Sequence, residues 1–121
     1  MKRIRTGMLE LKTKHWIQDS KGRMVMGEGR RNMLKSVKET GSLTTTAKEL
    51  GMSYRALWGK IKATESALGV PLLDSTKAKG SLLTPIAEDL LTRYEEFLMR
   101  CRVLEEGLFK EIFGNLLSQG Q

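Results

Sequence analysis

Two short helical patterns separated by a glycine turn constrain the fold of this chain more than any other feature of its sequence. In the first pattern, Ala47 and Leu50 are inward positions of a helix that Thr44 can cap. Gly51 then stands where the chain must leave that helix with positive φ, and Ser53 can cap a second helix. Two helices joined by three or four residues that include a glycine form a helix-turn-helix.

The second helix has apolar residues at helical spacing. Its predicted inward positions are Leu57, Trp58, Ile61 and Leu68, which recur at intervals of three, four and seven. Leu57 would fill the angle between the two helices, and the small Ala47 would let them approach closely. The pattern therefore predicts that the two helices share one apolar core.

The segments on either side predict a small mixed domain. Alternation from residue 9 to 17, turn residues at 19–22 and an apolar return at 23–26 predict a β-hairpin over residues 8–26. Helical spacing over residues 28–40, ended by Gly41, predicts a first helix. Two short apolar pieces at 72–74 and 82–83 surround a basic loop, which is typical of a wing. Residues 28–83 are therefore predicted to form a winged helix-turn-helix.

A long C-terminal helix is predicted to follow the wing. Thr84 and Pro85 provide a cap and a proline at the first helical position. Apolar residues then recur at intervals of four and three, the spacing of a coiled-coil core. This seam consists of Leu90, Tyr94, Phe97, Cys101, Leu104 and Leu108.

The seam predicts dimerisation through this helix, and packing on the chain's own core is the alternative. The pattern allows this helix to extend to about Phe113. Alternatively, because Gly107 weakens it locally, a break there would let residues 108–117 fold back as a short separate helix. The fold class is thus mainly α with a small β component. It is a single domain over residues 1–121, with 84–117 as the dimerisation region.

Length and charge narrow the class of function. With 121 residues, the chain is too short for a two-domain enzyme with a cleft between domains. Residues 1–80 hold 17 Lys and Arg against 7 Asp and Glu, whereas residues 81–121 hold 4 against 7. The basic character of the first two-thirds favours a face that binds a polyanion, and a lysine-rich solvated surface is the alternative.

Other chemistry has little support in the sequence. Cys101 is the single cysteine and His15 the single histidine, so no metal site and no cofactor are predicted, and His15 is interpreted as a surface or packing residue. Cysteine usage favours a reducing cytoplasm, and no apolar run is long enough to cross a membrane. No enzymatic activity is predicted.

The motif residues resemble a known family. Five parts of the sequence look like the DNA-binding domain of ModE-type molybdate-responsive regulators. They are Gly-Glu-Gly-Arg at 27–30, Glu-Thr-Gly-Ser-Leu-Thr at 39–44, Ala-Lys-Glu-Leu-Gly-Met-Ser-Tyr-Arg at 47–55, Trp58 and Leu-Leu-Thr-Pro at 82–85. That domain is itself similar to the winged helix-turn-helix of LysR-type regulators. The resemblance covers residues 9–105. Regulators of this type carry C-terminal molybdate-binding domains, and this sequence ends where they would begin, so we expect either a stand-alone DNA-binding member or a shortened form of a longer regulator.

A DNA-binding role predicts a DNA contact for each exposed polar residue of the second helix and its surroundings. Arg55 is the candidate base reader, because its guanidinium can grip both acceptors of guanine, and a phosphate contact is its alternative role. Gly59 would allow close approach of the backbone, and Tyr54 would stack or donate to phosphate, or be half-buried. The full predicted set is Thr44, Thr45, Thr46, Ser53, Tyr54, Arg55, Gly59, Lys60, Lys62, Lys77 and Lys79.

The predicted function is therefore sequence-specific transcription regulation by a homodimer on double-stranded DNA. Two alternatives stay open at this point. The helix-turn-helix could be a scaffold for a protein-interaction module that uses the seam, or the chain could be a partner in molybdate sensing. The effector is not predicted.

Overall fold

The structure is a computed structural model that describes residues 2–74 and 82–118, with side chains from residue 7 onward. Four strands and four helices are present in the described part, and they confirm the predicted class, mainly α with a small β component. In chain order they are β1 (Lys2–Thr6), β2 (Leu9–Thr13), β3 (Ile17–Gln18), β4 (Met24–Met26), α1 (Glu28–Thr40), α2 (Leu43–Glu49), α3 (Tyr54–Leu68) and α4 (Pro85–Phe113), followed by a 3₁₀ turn at Leu116–Ser118.

The chain forms two compact units. The central unit comprises residues 16–94, and the terminal unit comprises residues 1–15 and 95–121. The boundary near the C-terminus falls inside α4. Among the described residues, none of the helices combines the length and apolar character that crossing a bilayer requires.

The strands pair differently from the prediction. β1 and β2 form one antiparallel ribbon, in which Thr6 faces Leu9 across a turn at Gly7, where φ is +59°. β3 and β4 form a second ribbon, in which Ile17 faces Met26. The single hairpin over residues 8–26 is therefore wrong, because residues 9–13 of the alternating stretch pair with residues 2–6 and only its end, at Ile17, pairs with β4.

The turn between β3 and β4 has the predicted chemistry. The Asp19 carboxylate accepts the backbone N–H groups of Lys21 and Arg23 at 2.9 and 2.8 Å, and Arg23 Nε donates to it at 2.7 Å. These hydrogen bonds from Arg23 and Lys21 lower the pKa of Asp19 below its usual value, although desolvation opposes them. β4 then places Val25 and Met26 in the core of the central unit.

The first helix has the predicted bounds. α1 buries Met33, Leu34 and Val37 on one face, as their spacing indicated, and ends at Gly41, where φ is +66°. A left-handed residue at this place is best served by glycine, because a side chain there would strain the backbone.

α2 and α3 bury part of the predicted core, but three of the predicted inward residues are exposed. Ala47 and Leu57 are buried as expected, whereas Leu50, Trp58 and Leu68 are more than a third exposed. The inward face of α3 consists instead of Leu57, Ile61 and Thr64. Trp58 is one residue from Leu57 on the helix, which turns its side chain by about 100° and away from the core.

The caps of these helices explain their bounds. Ser42, not Thr44, caps α2, because its Oγ accepts the N–H of Thr45 at 3.1 Å. Ser53 caps α3 as predicted and accepts the N–H of Ala56 at 3.0 Å. α3 ends at Gly69, which also has positive φ.

The base of the wing lies within the described residues. Leu73 pairs with Leu83 in an antiparallel bridge, and the N–H of Thr84 donates to the carbonyl oxygen of Leu72 at 3.0 Å. Residues 75–81, which include the predicted wing tip, lie outside the described part. Thr84 also caps α4, since its Oγ1 accepts the N–H of Ala87 at 3.3 Å and donates to the carbonyl of Pro71 at 2.8 Å.

The long helix extends as far as its sequence pattern allowed. α4 runs from Pro85 to Phe113 without a break at Gly107, so the alternative of a separate helix over residues 108–117 is wrong. One glycine costs about 1 kcal/mol relative to alanine in a helix. The helix-forming residues on both sides outweigh that cost, and Lys110 adds an ion pair to Glu106 at 3.0 Å across the position.

Candidate nucleic-acid interface

The turn between α2 and α3 sets the direction of the second helix. Gly51 has φ of +65°, and the N–H of Met52 donates to the carbonyl of Ala47 at 3.0 Å. These features end α2 within one turn and let Ser53 begin α3 immediately afterwards. The helix-turn-helix predicted from the sequence is thus present, with the start of α3 at the surface.

The first turns of α3 present polar and basic groups to solvent. Arg55, Gly59 and Lys60 are exposed, and in the part of the chain described Arg55 and Lys60 have no hydrogen-bond or ion-pair partner. A Cβ atom placed on Gly59 would meet no atom of residues 2–74 or 82–118 within 4 Å. No contact with these residues therefore requires glycine at this position.

Two aromatic rings and a lysine form a stack along the same helix. The Tyr54 and Trp58 rings lie 6.5 Å apart at an interplanar angle of 9°, and both are exposed. Lys62 Nζ lies 4.3 Å from the centroid of the Trp58 ring and 2.9 Å from Glu65 Oε1. Lys62, predicted to contact phosphate, is thus engaged by a cation–π contact and an ion pair.

Glu65 is a site residue that the sequence analysis missed. Its Oε2 accepts the backbone N–H groups of Leu72 and Leu73 at 2.7 and 3.2 Å, so it joins α3 to the first strand of the wing. Burial opposes ionisation of this carboxyl group, but the hydrogen bonds from Lys62 and the two N–H groups outweigh burial and lower its pKa. The C-terminal end of a helix carries the negative end of its dipole, so a carboxylate in the last turn of α3 is unfavourable unless a specific partner stabilises it. The position of Glu65 was therefore the signal in the sequence that could have identified its role.

The threonines at the start of α2 do not act alike. Thr44 and Thr45 are exposed, whereas Thr46 is fully buried. The Thr46 Oγ1 atom lies 3.1 Å from Ser36 Oγ and 3.2 Å from Thr40 Oγ1. Thr46 is therefore wrong as a DNA-binding residue, because its hydroxyl belongs to a buried polar cluster that holds α2 against α1.

A second polar contact holds α1 against α3. Arg30 Nε donates to Thr64 Oγ1 at 3.1 Å, and burial lowers the pKa of this guanidinium, which remains charged. Buried polar groups that find such partners rigidify the core that presents α3.

Comparison with known proteins identifies this architecture. Residues 32–88, from α1 to the first turn of α4, match the family described as bacterial regulatory helix-turn-helix protein, lysR family. This segment, slightly less than half of the chain, is therefore similar to LysR-type helix-turn-helix domains. The chain is also 33% identical over 73 residues to the "Molybdenum-pterin-binding protein MopB" of Rhodobacter capsulatus. The aligned part is 57% of this chain and 27% of MopB, so the chain spans about a quarter of that relative.

The two matches confirm the resemblance stated from the sequence. The matched segment contains α2, α3 and the base of the wing, which hold most of the residues quoted for the resemblance. Residues 27–30 precede it. The predicted wing residues Lys77 and Lys79 belong to the matched segment but lie outside the described residues.

The predicted seam on α4 divides into two parts. In the central unit, Tyr94 is only 3% exposed and Leu90 is half-buried. Burial raises the pKa of the Tyr94 hydroxyl, with a further contribution from the charge of Glu28 and an opposing one from Arg31. Tyr94 is therefore a core residue of the central unit and is wrong as an interface residue.

The second part of the seam, in the terminal unit, is largely open to solvent. Phe97, Leu104 and Leu108 are 49%, 68% and 55% exposed, and Cys101 is half-buried. Further apolar residues on this part of α4 are also exposed: Met99, Val103 and Ile112. Bulky apolar groups along several turns of one helix are typical of a surface that another protein covers.

Proposed function

We propose that this chain is a sequence-specific DNA-binding transcription regulator that acts as a homodimer and inserts α3 into the major groove. The observation that carries the proposal is the exposed start of α3 in a LysR-type domain. Arg55 and Lys60 stand there without partners among the described residues. Side chains in the first turns of a recognition helix are the ones that reach base edges.

Each exposed group has a role in this proposal. Arg55 reads a guanine through its two parallel N–H donors, and Gly59 lets the helix backbone approach the DNA. Lys60 contacts phosphate, as do the hydroxyls of Thr44 and Thr45. Ser53 and Tyr54 contact the sugar-phosphate backbone of the DNA next to this site. Lys62, Lys77 and Lys79 add positive charge without reading sequence.

The homodimer is supported by the exposed apolar part of α4. A two-fold dimer presents two recognition helices to half-sites about 34 Å apart, or a multiple of that distance, and so doubles the number of base contacts. Phe97, Leu104 and Leu108 recur at intervals that suit pairing of two α4 helices. We propose that these three residues form the dimer contact and that Cys101 lies at its margin.

A regulatory rather than enzymatic role agrees with the acidic residues of α4. Asp89, Glu96 and Glu106 each lie within 4 Å of a basic residue four positions later, the arrangement of a solvated helix surface. The match to a molybdenum-pterin-binding protein supports a role connected with molybdenum.

A protein-interaction module is the second candidate. The specific observation in its favour is the same exposed apolar part of α4, because a partner of another kind could cover it. In that case the helix-turn-helix would be a scaffold, and binding to DNA would show little preference for sequence.

The decisive experiment is selection of bound sequences from a random pool of duplex DNA, followed by binding measurements at several salt concentrations. Arg55→Ala is expected to lose about 1–3 kcal/mol of binding free energy on the selected site and to relax one base position. Lys110→Ala is the control. It also removes one positive charge, but from α4, where Lys110 is paired with Glu106. Equal weakening on every sequence would assign Arg55 to phosphate, and failure to select any sequence would refute the proposed function.

A further inference from the structure

Three side chains from distant parts of the sequence meet inside the terminal unit. His15 follows β2, and Cys101 and Glu105 lie one turn apart on α4. One nitrogen, sulfur or oxygen atom from each residue lies within 4.8 Å of the other two. His15 Nε2 lies 3.2 Å from Glu105 Oε1.

The chemistry of this group favours a particular class of ion. Thiolate, imidazole and carboxylate are the three kinds of protein ligand that Zn²⁺ binds. Hard cations such as Mg²⁺ and Ca²⁺ select oxygen ligands, so a sulfur and a nitrogen donor disfavour them. Cys101 and His15 together therefore indicate a borderline or soft transition-metal ion.

The geometry suits one ion. Two ligands at about 2.1 Å from a shared tetrahedral zinc ion are separated by about 3.4 Å. The 3.2 Å between His15 and Glu105 is close to that value. The upper limit of 4.8 Å for the group is somewhat wider, and small rotations of partly exposed side chains close such a difference.

Neighbouring contacts and partial exposure also fit a binding site. The His15 ring meets the Phe97 ring edge to face at 6.1 Å, which holds the imidazole beside α4. The side chains of His15 and Glu105 are 30% and 24% exposed, and Cys101 is half-buried. An ion can thus enter from solvent and keep a water molecule as a ligand.

We propose that His15, Cys101 and Glu105 bind one transition-metal ion of the zinc class, with water in the fourth position. On binding, the Cys101 thiol releases its proton to solvent and its sulfur bonds to the metal, while His15 binds as the neutral imidazole. The ion joins the segment after β2 to α4, and because it binds the folded state it stabilises the terminal unit.

The test uses the full chain with its cysteine reduced. Cobalt chloride is the spectroscopic probe, because a thiolate bound to Co²⁺ gives a charge-transfer absorption band. The expected result is a band that saturates at one ion per chain, is displaced by zinc chloride, and is accompanied by a rise in Tm when zinc is present. Cys101→Ser is expected to abolish the band, and His15→Gln and Glu105→Gln are expected to weaken binding.

Glu106→Gln is the matched control, because Glu106 follows Glu105 directly but pairs with Lys110 instead of joining the group. Circular dichroism of each variant, without metal, establishes that the helices are retained. The proposal is overturned if the band is absent, or if Glu106→Gln weakens binding as much as Glu105→Gln. Saturation at half an ion per chain, with two thiolates on each metal, would place the ion between two chains and would also overturn it.

Discussion

Neutralising Glu65 is expected to destabilise the link between the recognition helix and the wing. The side chain is only 12% exposed and receives two backbone N–H groups on one oxygen and Lys62 Nζ on the other. In Glu65→Gln, the amide oxygen can still accept the N–H groups of Leu72 and Leu73. The amide nitrogen, however, would face the Lys62 ammonium group as a second donor.

The size of the effect follows from these contacts. Hydrogen bonds to a charged group contribute about 1.5–3 kcal/mol, against about 1 kcal/mol for neutral pairs. The ion pair with Lys62, which is 42% exposed, adds no more than about 1 kcal/mol. We expect Glu65→Gln to lower the free energy of unfolding by about 1–2 kcal/mol at pH 7.

The pH dependence gives a sharper test. The pKa of Glu65 in the folded protein lies below its ordinary value of 4.5, so its stabilising contribution is complete above that value. The contribution is lost as the pH falls through the lowered folded pKa, where the wild-type carboxylate also becomes neutral. The difference between wild type and Glu65→Gln should therefore shrink on acidification, while other carboxyl groups titrate in both proteins and cancel.

Urea unfolding followed by circular dichroism at pH 7 and at about pH 3 would measure both quantities. Glu96→Gln is the control, because Glu96 is 65% exposed and lies 3.8 Å from Arg100. Its effect is expected to stay within about 0.5 kcal/mol. Equal stability of wild type and Glu65→Gln at pH 7, or a difference that is unchanged at low pH, would refute this account of Glu65.

Three further substitutions test the proposed function. Gly59→Ala is expected to stabilise the protein by about 0.5–1 kcal/mol, because the site is helical and a methyl group there meets no described atom. The same methyl group is expected to weaken DNA binding by keeping the helix backbone away from the DNA. Unchanged affinity would contradict close approach at Gly59. Lys77→Ala with Lys79→Ala is expected to reduce the slope of log affinity against log salt by roughly two and to keep the sequence preference. Leu104→Glu places a charge on a residue that is 68% exposed, so light scattering should show loss of the dimer with the helix-turn-helix still folded; a monomeric wild type would exclude this interface.

Features that depend on neighbouring residues could be predicted from the sequence. The bounds of α1, the Ser53 cap and the start of α4 at Pro85 each rest on a signal within a few positions. The helix-turn-helix itself follows from such signals, because its glycine and its cap are adjacent in the chain.

Features that depend on tertiary contacts could not be predicted in the same way. A threonine in the first turn of a helix reads as a surface hydroxyl, and only the position of Ser36 on α1 shows that Thr46 is buried. Alternation in β2 indicates a strand but not its partner. His15 and Cys101 were interpreted separately because their proximity arises only when the chain is folded.

Thr84 couples the opening of the wing base to the local unfolding of the first turn of α4. Its N–H closes the last pair of the wing strands on Leu72, while its hydroxyl oxygen caps the first turn of α4 at Ala87. Separation of the strands therefore withdraws the cap, and the amide protons of Thr84 and Ala87 become exposed to exchange in one opening event. We therefore expect the base of the wing to open only as often as the first turn of α4 unfolds.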